Sequence, residues 1–350
     1  MTIPMYDSII EGTNVVKLKS PIAAQIELTK ECPYRCFFCY NYWKDGKAEV
    51  RGEMTEEEAL YACQKLIEAE IFSVIISGGE PTLQSYLPKV IRLFSEEKID
   101  TTIITNGFRL TPVYIETLSE AGLNSMQISM HHFSESKMNA ITGKPQSYQL
   151  TLKGIQNAIQ HFGAEYFNVN MVVTKDTVED VKEMGIFLAE LGVQYFSVGI
   201  VSYCGEASRN NLVCKKDDLN RVYEQLQELS DIIDVGMTGG MPYCVLPEED
   251  PDRPVLIANS CDAAISQIVV SPNGDLRPCV ELPTVVGNIL RDDLFTVWQN
   301  SPELIRIREF RNTPMTCQSC ELVSYCHGGC RASALSYTGE ETGLDPLMEV

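Results

Sequence analysis

At 350 residues, 44% of them hydrophobic and with no run of about 18 apolar positions, the chain can bury a large domain plus a smaller one but holds no membrane span. A net charge of −20 at pH 7 repels a phosphate backbone and sets nucleic acid aside as a partner. Thirteen cysteines, with no basic-then-apolar signal segment after Met1, indicate a reducing, cytoplasmic setting in which thiols read as metal ligands rather than disulfide halves. Residues 1–20 read as a lead-in, too short for a separate peptide-recognition domain. From 21 to 230 the pattern alternates strand and helix, with strands expected at 23–28, 72–77, 101–105, 125–130, 167–173 and 195–201. A helix starts at Thr55, where Glu58 completes a capping box and Ala59, Leu60, Cys63, Leu66 and Ile67 share a face. Others are expected at 84–97, 112–121, 148–161, 178–191 and 217–230. Six such units predict an α/β fold, a partial (β/α)6 TIM-like barrel with right-handed crossovers and ligands at the C-terminal strand ends. At 231 the alternation is expected to stop. Pro242, Pro247, Pro251 and Pro254, around Glu248-Glu249-Asp250, mark a linker into a cysteine-rich extension over 231–350.

Three thiols fall on the loop leaving the first strand, Cys32-Pro33-Tyr34-Arg35-Cys36-Phe37-Phe38-Cys39. Three thiolates hold one metal centre without filling a four-ligand shell, so an iron–sulfur cluster there keeps one iron open. A zinc knuckle and a packed loop are the alternatives, zinc usually requiring a second pair of ligands. Two further segments sit at strand ends: Gly78-Gly79-Glu80-Pro81 after the second strand, and Thr105-Asn106-Gly107 after the third.

With these motifs in this order the chain resembles the radical S-adenosylmethionine (SAM) superfamily. The resemblance implies that Cys32, Cys36 and Cys39 ligate a [4Fe-4S] cluster whose open iron is chelated by SAM. Gly78, Gly79 and Glu80 would hold the methionyl amine, the glycines letting backbone approach the ligand. Phe38 would lie near adenine, Asn106 and Ser129 would reach ribose or carboxylate, and Asn170 and Gly199 on later strands would complete the cofactor set. For Asn168 and Asn170 a structural amide network is the alternative. His131-His132 stands where many relatives carry an acidic-Gly pair. Such a pair either titrates near neutrality and binds a substrate carboxylate or shapes the loop. Cys204, just after the sixth strand, is a candidate hydrogen-atom donor, as in epimerases of the superfamily, or else a half-buried thiol. Cys63 reads as helix core and Cys214 as a loop thiol.

The later cysteines resemble the SPASM extension, with Cys261-x12-Gly274-x4-Cys279 followed by Cys317-x2-Cys320-x5-Cys326-x3-Cys330. The x5 and x3 spacings do not make the two knuckles of a zinc ribbon. The resemblance implies one or two auxiliary iron–sulfur clusters, the first on Cys261, Cys279 and Cys330 with Cys244, the second on Cys317, Cys320 and Cys326. No cysteine follows Cys330, so Met348, Asp345 or Glu349 is expected to supply the missing ligand, or the site stays open. By the same resemblance the chain reductively cleaves SAM to a 5′-deoxyadenosyl radical and matures a ribosomal peptide by crosslinking, oxidation or epimerisation. It would take electrons from a flavodoxin- or ferredoxin-type donor, and its peptide would be presented by a partner or gripped at the barrel mouth. The alternatives are a small-molecule (tetrapyrrole, sugar or antibiotic) enzyme and, from another class, a non-catalytic iron–sulfur carrier that ignores SAM.

Overall fold

Apolar and polar residues alternate along the strands, so one face of each is buried under helices while the other points Gln25, Ser77, Thr105 and Asn170 towards the inside of the sheet. In the computed structural model, which describes residues 6–9, 16–41, 43, 52–247, 255–258 and 261–348, this produces a long, mostly parallel sheet. A separate antiparallel ribbon, β1 (Tyr6–Ile9) and β2 (Val16–Leu18), precedes it. The repeating part runs β3 (Ala23–Glu27), α1 (Glu56–Glu68), β4 (Ser73–Ser77), α2 (Leu87–Glu96), β5 (Asp100–Thr105), α3 (Pro112–Glu120) and β6 (Ser125–Ser129). It continues through α4 (Glu135–Thr142), α5 (Ser147–His161), β7 (Phe167–Val173), α6 (Val181–Leu191), β8 (Tyr195–Ile200), α7 (Gly205–Arg209), α8 (Lys216–Leu229) and β9 (Asp234–Thr238). Strands β3 to β9 lie side by side in chain order and parallel, as in a partial TIM-like barrel. β3 pairs with neither β9 nor the short β10 (Leu256–Ala258), so the barrel is open.

The capping box at Thr55 is present, the Thr55 hydroxyl accepting from the Glu58 N–H while the Glu58 carboxylate accepts from the Thr55 N–H at 2.8 Å. The expectation that the alternation ends at 231 is corrected by β9. Its apolar signal is only Val235 and Met237, interrupted by Gly236, where any side chain would start 2.2 Å from the Tyr195 hydroxyl. α4 is a further helix beyond those the sequence pattern predicts, because its eight residues carry just Met138, Ile141 and Thr142 on the buried side.

The C-terminal part is sewn into the barrel. β11 (Gln267–Val270) runs parallel to β3 and extends the sheet, followed antiparallel by β12 (Asp275–Arg277) and β13 (Gly287–Asn288). Short helices α9 (Leu294–Asn300), α10 (Pro302–Arg308), α11 (Val323–Cys326) and α12 (Arg331–Thr338) follow. Arg277 reaches from β12 into a fully buried ion pair with Glu27 of β3 and also donates to the Val280 carbonyl at 2.9 Å. Burial pushes the Glu27 carboxyl up to about 7 against the pull of Arg277. Trp298 of α9, itself fully buried, donates to the Leu18 carbonyl at 3.0 Å and ties the lead-in to this region. No helix among the described residues is long and apolar enough to cross a membrane.

Candidate active site

A cavity of about 210 Å³ opens where the strands end. Its wall includes the half-buried Cys32, Cys36 and Cys39, with Gly78, Gly79 and Glu80 of the next loop. Asn106, Ser129 and Gly199 contribute from β5, β6 and β8, and Phe38 with His131 closes one side. The cysteine loop owes its shape to neighbours on both sides. Arg35 N–H donates to the Thr142 carbonyl at 2.7 Å, fixing the loop on the end of α4, and Glu206 N–H of α7 donates to the Cys39 carbonyl at 2.9 Å.

The Gly-Gly-Glu segment packs against the chain entering that loop. Gly79 N–H donates to Thr29 O at 2.6 Å and Glu80 N–H to Glu31 O at 2.9 Å. A Cβ on Gly79 would lie 2.2 Å from Glu31 O, and on Gly78, with φ +132°, 2.5 Å from Thr29 O. A close approach to protein backbone thus requires glycine at both positions, besides any approach to ligand. The buried Glu80 carboxylate is likewise occupied. It accepts from Thr82 Oγ1 at 2.6 Å, Thr105 Oγ1 at 2.7 Å and the Asn106 N–H at 2.8 Å, while burial outweighs these bonds and raises its pKa. Asn106 in turn points its amide at Cys32 Sγ, 3.8 Å away.

Phe38 meets His131 edge-on at 4.7 Å between ring centroids. The His131 Nδ1 accepts from the Val172 N–H at 3.2 Å, and burial pulls its pKa down to about 3, so this imidazole is neutral near pH 7. That corrects the titrating-pair reading for His131. His132 does not line the cavity; its Nε2 lies 3.2 Å from Asp180 Oδ2 on the far side. Asn170 is not on the cavity wall either. With Asn168 it donates to Ser197 Oγ, at 2.9 and 2.8 Å, the amide network held open as the alternative.

Beside this cavity, and sharing Gly199, Ile200, Ser202 and Glu281 with it, lies a second of about 360 Å³ lined by Cys261, Cys279 and Cys330. Glu281 Oε2 is 3.3 Å from Cys330 Sγ, and the Glu281 N–H donates to Cys279 Sγ at 3.4 Å. Burial and the nearby Cys330 and Glu281 charges push the Cys261 thiol up to about 11 and the Cys279 thiol higher still. Glu281, on the wall between the cavities, carried no signal in the sequence beyond its place two residues after Cys279.

Two cysteines stand elsewhere than expected. Cys204 is buried at the start of α7 and does not line the first cavity; its thiol faces Cys330 and Ser336, and the Cys330 contact with burial raises its pKa well above the usual thiol range against the opposing Ser336 hydrogen bond. Cys244 follows Tyr243, whose N–H donates to Cys326 Sγ at 3.3 Å, and is not on the wall of the Cys261/Cys279/Cys330 cavity. It adjoins Cys326, Cys317 and Cys320, whose charges, after desolvation, raise its thiol. Of the other proposed ligands, Asp345 is taken up by the Cys330 and Leu347 N–H groups at 2.7 and 2.9 Å, and Glu349 lies outside the described residues. Cys63 is fully buried in α1 as expected, and Cys214 is buried as well.

The donor chemistry suits multi-iron groups. Around one tetrahedral zinc with 2.3 Å bonds, thiolates close to roughly 3.8 Å of one another. Among the described residues no three His, Cys, Asp or Glu side chains converge as a single ion requires. The first cavity is also lined by Asn41, whose buried Oδ1 has no hydrogen-bond partner among the described residues and is an acceptor open to a ligand there.

Comparison with known proteins accords with this geometry. Residues 26–187 match the radical SAM superfamily model, and residues 261–321 match that of SPASM, an iron–sulfur cluster-binding domain. The PqqA peptide cyclase of Granulibacter bethesdensis is 25% identical over 335 residues, covering 94% of this chain and 87% of that protein. The structure of Streptococcus suis SuiB bound to S-adenosylmethionine superposes with a TM-score of 0.76 at 22% identity, covering 97% of this chain and 79% of SuiB. SuiB bound to its precursor peptide SuiA gives 0.75 at 21% identity over 96% and 77%. The chain thus carries a radical SAM domain followed by a SPASM iron–sulfur cluster-binding domain, and it is a radical SAM enzyme.

Proposed function

We propose that this enzyme matures a ribosomally made peptide, binding it across the two adjoining cavities. The reading is supported by one observation above others: the first-cavity wall and the Cys261/Cys279/Cys330 cavity share Glu281 and the end of β8, so a residue held there meets both centres. The peptide-cyclase relative and the SuiB complex with a precursor peptide agree with a peptide substrate. When bound, SAM and its cluster supply a 5′-deoxyadenosyl radical that takes a hydrogen atom from an unactivated carbon.

The chain's own residues arrange that event. Cys32, Cys36 and Cys39 hold the cluster, and Asn106 beside Cys32 fixes that ligand's orientation. The backbone of Gly78 and Gly79, locked by Glu80, faces the methionyl end. Phe38 and the neutral His131 form an edge for the adenine, and Ser129 reaches the ribose or carboxylate. Asn170 and Gly199 support this wall from below, the Asn170 amide lying under Gly199. Glu281 offers a carboxylate to an N–H of the substrate or to a proton released there. Electrons come from a flavodoxin- or ferredoxin-type protein, and the enzyme works in a reducing cytoplasm.

Co-expression with a short peptide encoded beside the gene tests the reading. A mass change in that peptide, lost with Cys36→Ala, is expected. An unaltered peptide, together with a modified small metabolite from the same cells, would move the enzyme to the small-molecule class.

A further inference from the structure

The three outer cysteines leave a fourth ligand position to fill, and Asp345 on the described tail is already held by the Cys330 and Leu347 N–H groups. Cys317 and Cys320 sit on one tight turn, the Cys320 N–H donating to the Cys317 carbonyl at 3.0 Å. Cys326 closes α11, and the backbone that follows folds back so that a side chain on Gly328 would start 3.4 Å from Cys317 Sγ. Cys317, Cys320 and the backbone just after Cys326 are thereby drawn together, with Cys320 exposed.

The segment after β9 runs past these residues. A side chain on Gly240 would begin 3.1 Å from Cys330 Cβ, and one on Gly329 would begin 2.6 Å from Pro242 Cγ. Tyr243 then donates its N–H to Cys326 Sγ at 3.3 Å. An N–H bonded to a ligating sulfur is a common supporting contact in iron–sulfur sites. The next residue is Cys244, whose thiol lies within the field of all three outer cysteines and is exposed on the chain's surface. The turn Tyr243–Val245 also packs on the tail turn Pro346–Met348. Asp345 on that tail is spent on the Cys330 and Leu347 N–H groups.

We propose that Cys244 is the fourth thiolate of the outer centre with Cys317, Cys320 and Cys326, a ligand supplied from upstream in place of one from the tail. The inner centre is then left with Cys261, Cys279 and Cys330, and with Glu281 at its vacant side facing the first cavity. This rests on the iron–sulfur reading of the domain.

The test is a ligand-deletion cycle in the full-length chain, reconstituted under argon in a Cys32/Cys36/Cys39 triple-alanine background so that only auxiliary iron is counted. Iron content and the electron paramagnetic resonance spectrum of the reduced protein are read. Cys244→Ala is expected to remove or convert the signal that Cys320→Ala removes, to add nothing when combined with Cys320→Ala, and to add its full loss when combined with Cys279→Ala. The reverse pattern assigns Cys244 to the inner set, and silence in both backgrounds denies it a ligand role; either overturns the proposal. Alkylation of Cys244 gives a readout that does not depend on folding of a variant. The thiol is expected to be protected in reconstituted protein and to react after iron is stripped, whereas equal reactivity in both states counts against ligation. If the background protein holds no iron at all, the iron–sulfur reading itself fails, an outcome distinct from iron retained without Cys244.

Discussion

The Glu80 carboxylate accepts the Asn106 backbone N–H at 2.8 Å, joining the loop after β4 to the loop after β5 across the floor of the first cavity. Two motifs 26 positions apart in sequence are thereby one object, with Thr82 and Thr105 hydroxyls on the remaining Glu80 oxygen. Bonds to a charged acceptor contribute about 1.5–3 kcal/mol each, and a buried donor left unpaired costs a similar amount. Glu80→Gln cannot accept from all of these donors. It is expected to weaken SAM binding by tenfold or more while leaving cluster iron in place, as read by calorimetric titration of the reconstituted protein. Unchanged affinity would mean that the carboxylate does not shape the site.

Gly79→Ala puts a methyl group 2.2 Å from Glu31 O, and the segment entering the cysteine loop has to move. The expected result is loss of roughly four irons per chain with the circular dichroism spectrum preserved. Full iron retention would show that the loop yields without cost.

The buried Arg277–Glu27 pair fastens β12 to β3. Removing one partner of such a pair typically costs about 3–5 kcal/mol, because the other charge is stranded. Arg277→Met should therefore lower the urea midpoint sharply, and the Glu27→Leu/Arg277→Met double variant should recover part of the loss. A double variant no better than the single would show that Arg277 acts through its carbonyl contacts instead.

His131 has a folded pKa of about 3 against an unfolded value near 6.5. Below the unfolded value the unfolded chain binds the proton that the folded chain refuses. This group's contribution is therefore present above about pH 6.5 and is lost as pH falls towards 3, by about 1.4 kcal/mol per unit. His131→Phe should flatten the fall in stability between pH 7.5 and 5.5 relative to wild type, measured by urea unfolding at each pH. Parallel curves would mean that the imidazole is protonated inside the fold.

Cys204 faces Cys330 rather than the first cavity. Cys204→Ala is expected to keep both SAM cleavage and product formation while altering the signal of the inner centre. Product formation stalled after normal SAM cleavage would restore the hydrogen-donor role.

Much of this was legible in the sequence because the strands carry period-two apolar patterns and the motifs fall at their ends. The six strands of the repeat, the capped first helix and the gathering of Cys32, Cys36, Cys39, Gly78–Glu80, Asn106 and Ser129 follow from that. What escaped depended on contacts distant in the chain. β9 is half glycine and polar residues, β11 joins β3 from more than 240 positions away, and Cys244 was assigned by pattern to the inner set although its neighbours in space are the outer thiols. The glycine roles were likewise invisible, since nothing local says that Gly79 lies against Glu31.

The whole account depends on the Cys32/Cys36/Cys39 cavity being a site of reductive SAM cleavage, and 5′-deoxyadenosine release measures that directly. Anaerobically reconstituted protein given dithionite and SAM is expected to form the nucleoside, and Cys36→Ala to form none. Iron-replete wild type that forms none, or a Cys36→Ala variant that equals it, would contradict the account.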